Sequence, residues 1–247
     1  MRNLCIAIVW TCMFTLSTAL AMEPPPVTVT LPTEPLATPL VQVNPVEKYY
    51  MTLFGTQTAP YRVRTTHTWA TFVRTIVTPT GEQVVSVETI SWMPATLAIR
   101  PLALRPETGA NLTLEQSFQW VESMGGRTSN WGPYEIDADR YQRFIARKAD
   151  LDSGAISYRA IGALTKSGAI SNCGQSFARS SPIVGNRYLQ PTPSPGENGT
   201  SKLALRYLKA GALANNAATN EGVFQAEGGN LYPSTPRAPG ERIPNRR

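Results

Sequence analysis

One histidine, three cysteines and a charged fraction of only 16% leave this chain few routes to chemistry. One His and at most a few Cys cannot assemble a typical zinc site, so no metal and no cofactor is expected. The basic residues are scattered, with no run of five or six, so nucleic acid is not an expected partner. No internal repeat and no second long apolar run follow the N-terminus. What is present is a leader, a core of mixed elements, and one histidine and one cysteine in suggestive settings.

Residues 1–21 read as a signal peptide. Arg2 supplies the positive n-region, Leu4 to Leu20 the apolar stretch, and Ala19-Leu20-Ala21 the cleavage site. Cleavage removes Cys5, Cys12 and the charge of Arg2, which takes the formal net charge from +6 to +5. The expected product is secreted or periplasmic, has no stable membrane anchor, and keeps a single thiol, Cys173. A lone cysteine in an exported protein forms no internal disulfide and is either buried or reactive.

Composition divides the remainder. Residues 22–46 are rich in Pro and Thr and read as an extended linker. Residues 47–189 are the expected folded domain, followed over 190–227 by a Pro/Gly linker and a short helix. Residues 228–247, rich in Pro, Gly and Arg, are expected to be disordered.

Within the core, Thr66–Thr78 is dominated by β-branched and aromatic residues, and Gln83–Met93 repeats that composition after Thr78-Pro79-Thr80-Gly81-Glu82. This is a hairpin signature. A helix is expected from about Thr113 to Met124, with a capping box at Thr113 and Gln116 and Leu114, Ser117, Phe118 and Val121 on one face. Asp137 opens a second helix that Gly154 closes, with Tyr141, Phe144, Ile145 and Leu151 as its apolar stripe. Ala155–Ile161 alternates like a strand, Ser171 is placed to cap a short helix, and 201–213 suits another. The expected fold class is α+β, an antiparallel sheet with a hairpin packed on several helices.

Cys173 falls in the first turn of its expected helix, where free N–H groups and the helix dipole lower a thiol pKa. Gly174 leaves the backbone beside the sulfur open to a carbonyl oxygen. His67, at the start of the first hairpin strand, is the one imidazole available to take the thiol proton. If residue 67 pairs opposite 93, Ser91 shares the face of His67, and a one-residue slip presents Glu88 instead. Trp131-Gly132-Pro133-Tyr134-Glu135 reads as an aromatic turn, so Trp131 and Tyr134 are candidate cleft residues.

Ser171-Asn172-Cys173-Gly174-Gln175-Ser176-Phe177 resembles the Asn-Cys-x-His-Phe signature of lecithin:retinol-acyltransferase-like and other circularly permuted NlpC-type papain-fold proteins. The hairpin that begins His67-x-Trp69, upstream of a helix-borne cysteine, has the order of that group. Gln175 stands where the signature has its second histidine. The resemblance implies a permuted papain-like fold with Cys173 as nucleophile and His67 as base, Ser91 being the candidate third residue. Trp69, Asn172, Gly174 and Gln175 are the neighbouring candidates for binding.

Two functions follow as expectations. The first is an exported cysteine hydrolase or acyltransferase acting on a peptide, cell-wall or lipid-ester substrate. The second is an exported non-catalytic binding or structural module with Cys173 buried.

Overall fold

The structure, a computed structural model, describes residues 45–161, 168–182, 196–214, 220–226, 228 and 231–245. The expected signal peptide and nearly all of the expected 22–46 linker lie outside these residues. The fold is α+β, as the sequence implies.

The described residues open with a strand that composition does not announce. β1 (Val46–Thr58) is buried from Tyr50 onward and sends Met51 and Leu53 to one face of the sheet and Phe54 to the other. A strand buried on both sides loses the alternation that marks a half-exposed one. β1 pairs antiparallel with β2 (His67–Thr78) and with β6 (Gly126–Ile136). β3 (Gly81–Ile90) completes the expected hairpin with β2. β9 (Ser234–Pro236) lies parallel to β6 on the far edge, so this sheet runs β3-β2-β1-β6-β9.

A second sheet runs β4-β5-β7-β8. Its strands are β4 (Trp92–Pro94), β5 (Glu107–Asn111), β7 (Ser157–Tyr158) and β8 (Ile170–Ser171). The alternation expected over Ala155–Ile161 yields only the two residues of β7.

Helices cover both faces of the larger sheet. α1 (Leu114–Ser123) starts at the expected capping box of Thr113 and Gln116. With α5 (Glu221–Ala226) it packs Phe118, Val121 and Phe224 on Phe54 and Trp69. On the other face α2 (Ala138–Asp152), α3 (Cys173–Ala178) and α4 (Glu197–Lys209) bring Phe144, Phe177, Leu203 and Tyr207 onto Leu53, Ala70 and Phe72. Asp137 caps α2 as expected, and Gly154 follows its end with a φ of 78°.

Two boundaries need correction. The core extends past residue 189, because Leu203, Ala204, Tyr207 and Ile243 all belong to the main cluster. The 228–247 tail, expected to be disordered, supplies β9 and is tied down further along. Asn198 Nδ2 donates to the Ile243 carbonyl at 2.7 Å, and the Ile243 N–H donates to Asn198 Oδ1 at 2.8 Å. Composition misled there because a few backbone hydrogen bonds and one buried isoleucine hold an otherwise polar segment.

The second sheet depends on one small residue. A Cβ built on Gly109 of β5 would lie 2.0 Å from the ring of Trp92, whose side chain is buried and has no room to retreat. Gly109→Ala is therefore expected to destabilise by about 1–3 kcal/mol through overpacking. A lower urea midpoint at unchanged m-value is the readout.

Candidate active site around His67 and Cys173

β2 runs past the end of β3, the last pair between them being Ala70 with Ile90. Extended by three residues, that register sets 67 opposite 93, the alternative that presents Ser91. Ser91 follows β3 and precedes β4, and its Oγ lies 2.8 Å from His67 Nε2. Glu88, the residue of the slipped register, pairs with Phe72 and sits 3.7 Å from Lys148.

Ser91 is itself held from two sides. Ser117 of α1 donates its hydroxyl toward Ser91 Oγ at 2.7 Å, and the same hydroxyl lies 2.7 Å from the Thr113 carbonyl. The Ser91 N–H donates to Asn111 Oδ1 at 2.7 Å, while Asn111 Nδ2 donates to the Thr89 carbonyl and to Asp152 Oδ1, each at 3.1 Å. A helix and a neighbouring strand thus fix the one hydroxyl that meets the imidazole.

Aromatic rings hold the rest of His67. Trp69 stacks on it at 5.3 Å between centroids, and Trp120 meets it edge-on at 5.7 Å. The side chain is 1% exposed. Burial pushes the imidazole pKa down to about 3, so the ring is neutral at physiological pH. Its Nδ1 is buried and has no hydrogen-bond partner among the described residues.

Cys173 is the first residue of α3, but Asn172, not Ser171, is the N-cap. Asn172 Oδ1 accepts from the Gln175 N–H at 2.8 Å, and Gln175 Oε1 accepts from the Asn172 N–H at 3.4 Å. Ser171 is held in the ladder of β8 opposite Tyr158, so the first residue free to cap is the next one. The expectation of a lowered thiol pKa is also overturned. Burial is the largest influence on Cys173 and pushes its pKa up, while the N–H groups of Thr68, Gly174 and Cys173 itself pull it down.

α3 packs against β2, and the N–H of Thr68, the residue after His67, is one of the groups that pull the Cys173 thiol pKa down. No hydrogen bond joins the sulfur to the imidazole, since Nε2 is on Ser91 and Nδ1 has no partner among the described residues. Tyr158 pairs with Ser171, two residues before the cysteine, and its phenol feels the sulfur's charge. Burial first, then a negative charge on Cys173, push its phenol well above the ordinary range and keep it protonated.

Several expected binding residues are otherwise occupied. Asn172 and Gln175 spend their amides on the capping box. Trp69 is buried between His67 and Phe54, which leaves its ring no face for a ligand. Trp131 and Tyr134 do not form a turn; both lie within β6 and are buried in the main core. A β-bulge at Gly132, whose φ is 116°, brings these two residues, three apart, onto one face of the strand. Gly174 is the exception, because its N–H acts on the sulfur.

Three residues of the site escape a reading of the sequence. Ser117 carried a signal, as a hydroxyl on the apolar face of a helix. Asn111 and Tyr158 carried none, since their roles come from pairing between distant strands. No family model matches the chain, and no curated protein or solved structure matches it either. Among the described residues, no helix is long and apolar enough to cross a membrane.

Proposed function

We propose that the protein is an exported cysteine hydrolase or acyltransferase that acts on an amide or ester through Cys173 and His67. The observation that carries this reading is an imidazole with one nitrogen oriented by Ser91 and the other without a partner among the described residues, on the strand against which α3 sets Cys173. A neutral imidazole that meets Ser91 through Nε2 keeps Nδ1 able to accept a thiol proton.

In this reading His67 carries its proton on Nε2 and donates it to Ser91 Oγ, which leaves Nδ1 bare. Cys173 Sγ attacks the substrate carbonyl, its proton passes to Nδ1, and the Cys173 N–H helps hold the oxyanion. An imidazole with a pKa near 3 holds no resting charge, so attack and proton transfer occur together. The imidazolium then protonates the departing alcohol or amine. The thioester on Cys173 passes its acyl group to water in a hydrolase, or to a second nucleophile in an acyltransferase.

The absent Cys–His bond and the buried imidazole favour a second reading, in which both residues are structural and the chain is an exported binding module. Reaction with p-nitrophenyl acetate separates the two. The enzyme reading expects a burst of p-nitrophenolate stoichiometric with protein and a hydroxylamine-labile acetyl group mapped to Cys173. No adduct there, or acylation no faster than that of free cysteine at the same pH, leaves only the structural reading.

A further inference from the structure

We infer that two arginine-flanked loops, 62–64 and 100–105, form a docking surface for an anionic lipid bilayer. They face each other across a cavity of about 570 Å³ lined by Arg62, Val63, Arg64, Arg100, Pro101 and Leu102. Neither loop contains an aspartate or glutamate. Arg62, Arg64, Arg100 and Arg105 are exposed, and none has an ion pair among the described residues. The nearest acid in sequence, Glu107, accepts a hydrogen bond from Thr96.

Between these charges stand aliphatic side chains presented to solvent. Leu102 is 86% exposed and Leu104 is 85% exposed, with Val63 at 44% across the cavity. The loop does not offer them by being loose. The Ala103 N–H bonds back to the Arg100 carbonyl at 3.1 Å, and Pro101 occupies the second position of that turn, which suits its fixed φ. Leu102 follows at the turn's outer corner. Upstream, Ile99 is buried in the cluster of Trp69 and Phe118, and Trp120 Nε1 donates to the Leu97 carbonyl at 3.2 Å. Leu102 is therefore held outward on a turn anchored to the core, and the equally exposed Leu104 follows two residues on.

Arginines alone would suit any polyanion. Exposed leucines between them add an apolar contact that phosphate backbones do not reward and that the headgroup–acyl boundary does. The combination selects a bilayer carrying anionic lipid. This surface does not depend on the chemistry assigned to Cys173.

The test uses the chain without residues 1–21, whose apolar run would itself bind lipid. The whole described core lies in the compact unit Val43–Arg247, so it is retained. Co-sedimentation with phosphatidylcholine–phosphatidylglycerol vesicles is expected to exceed that with pure phosphatidylcholine, and to weaken between about 0.1 M and about 0.5 M salt. Arg100→Gln with Arg105→Gln is expected to weaken binding by about fivefold for each charge removed. Leu102→Ser with Leu104→Ser is expected to weaken it by about tenfold or more. Unchanged far-UV circular dichroism and urea midpoints show that both variants fold. Equal binding to the two vesicle types, or full binding by the leucine variant, overturns the proposal. So does duplex DNA bound as tightly as the anionic vesicles, with the leucine variant unaffected.

Discussion

Replacing His67 by glutamine is expected to slow acylation of Cys173 by p-nitrophenyl acetate by roughly 10²–10⁴-fold, the usual contribution of a positioned general base. Glutamine can still meet Ser91, so packing at the site is largely kept while the proton acceptor is lost. A second readout in the same variant concerns stability. His67 titrates near 3 in the folded chain and near the ordinary 6.5 when unfolded. Between those values the unfolded chain binds the extra proton, so the histidine's contribution is complete above about pH 6.5 and declines as pH falls toward 3. At pH 4.5 the loss amounts to roughly 2–3 kcal/mol, and His67→Gln should remove that part of the slope. Urea unfolding at pH 7 and pH 4.5 measures it. If the acylation rate is unchanged while the pH slope flattens, His67 is a structural residue and the base lies elsewhere.

Arg127→Met is expected to cost about 3–5 kcal/mol, the effect of leaving a buried carboxylate without its cation. Glu197 is fully buried, and its oxygens accept from Arg127 Nε at 2.9 Å and from Ser129 Oγ at 2.5 Å. The arginine is partly exposed and also donates to the Pro244 carbonyl at 2.9 Å. Removal of the acid should therefore be milder than removal of the base. Glu197→Gln, which keeps an acceptor for Ser129, is expected to cost about 1–2 kcal/mol. Combining Arg127→Met with Glu197→Leu should recover much of the loss, and the double-mutant cycle gives the coupling. Equal costs for Arg127→Met and Glu197→Gln would show that the ion pair is solvated rather than buried.

The parts of this fold legible in the sequence were those with local causes. The Thr113–Gln116 box, the Asp137 cap and the β2–β3 hairpin all follow from residues within a few positions of one another. The choice between Ser91 and Glu88 stayed open in the sequence, because it turns on a shift of pairing between Arg74 and Thr75 inside the hairpin. β1 was hidden by burial on both faces, which erases alternation. The tail was hidden because β9 pairs with a strand a hundred residues away. Cys173 was placed correctly on a helix start, yet its pKa was misjudged. Helix position is written in the sequence, whereas the burial that outweighs it arises only when the whole fold closes around α3.

The parallel pairing of β9 with β6 also sets an order of events during synthesis. β6 is complete by residue 136, but its outer edge has no partner until residues 234–236 have emerged from the ribosome. About a hundred residues must be translated in between, several seconds or more at cellular elongation rates. An open strand edge is a template for pairing with another chain. The nascent protein therefore passes through an interval in which a holdase that covers β6 would have its greatest effect on yield.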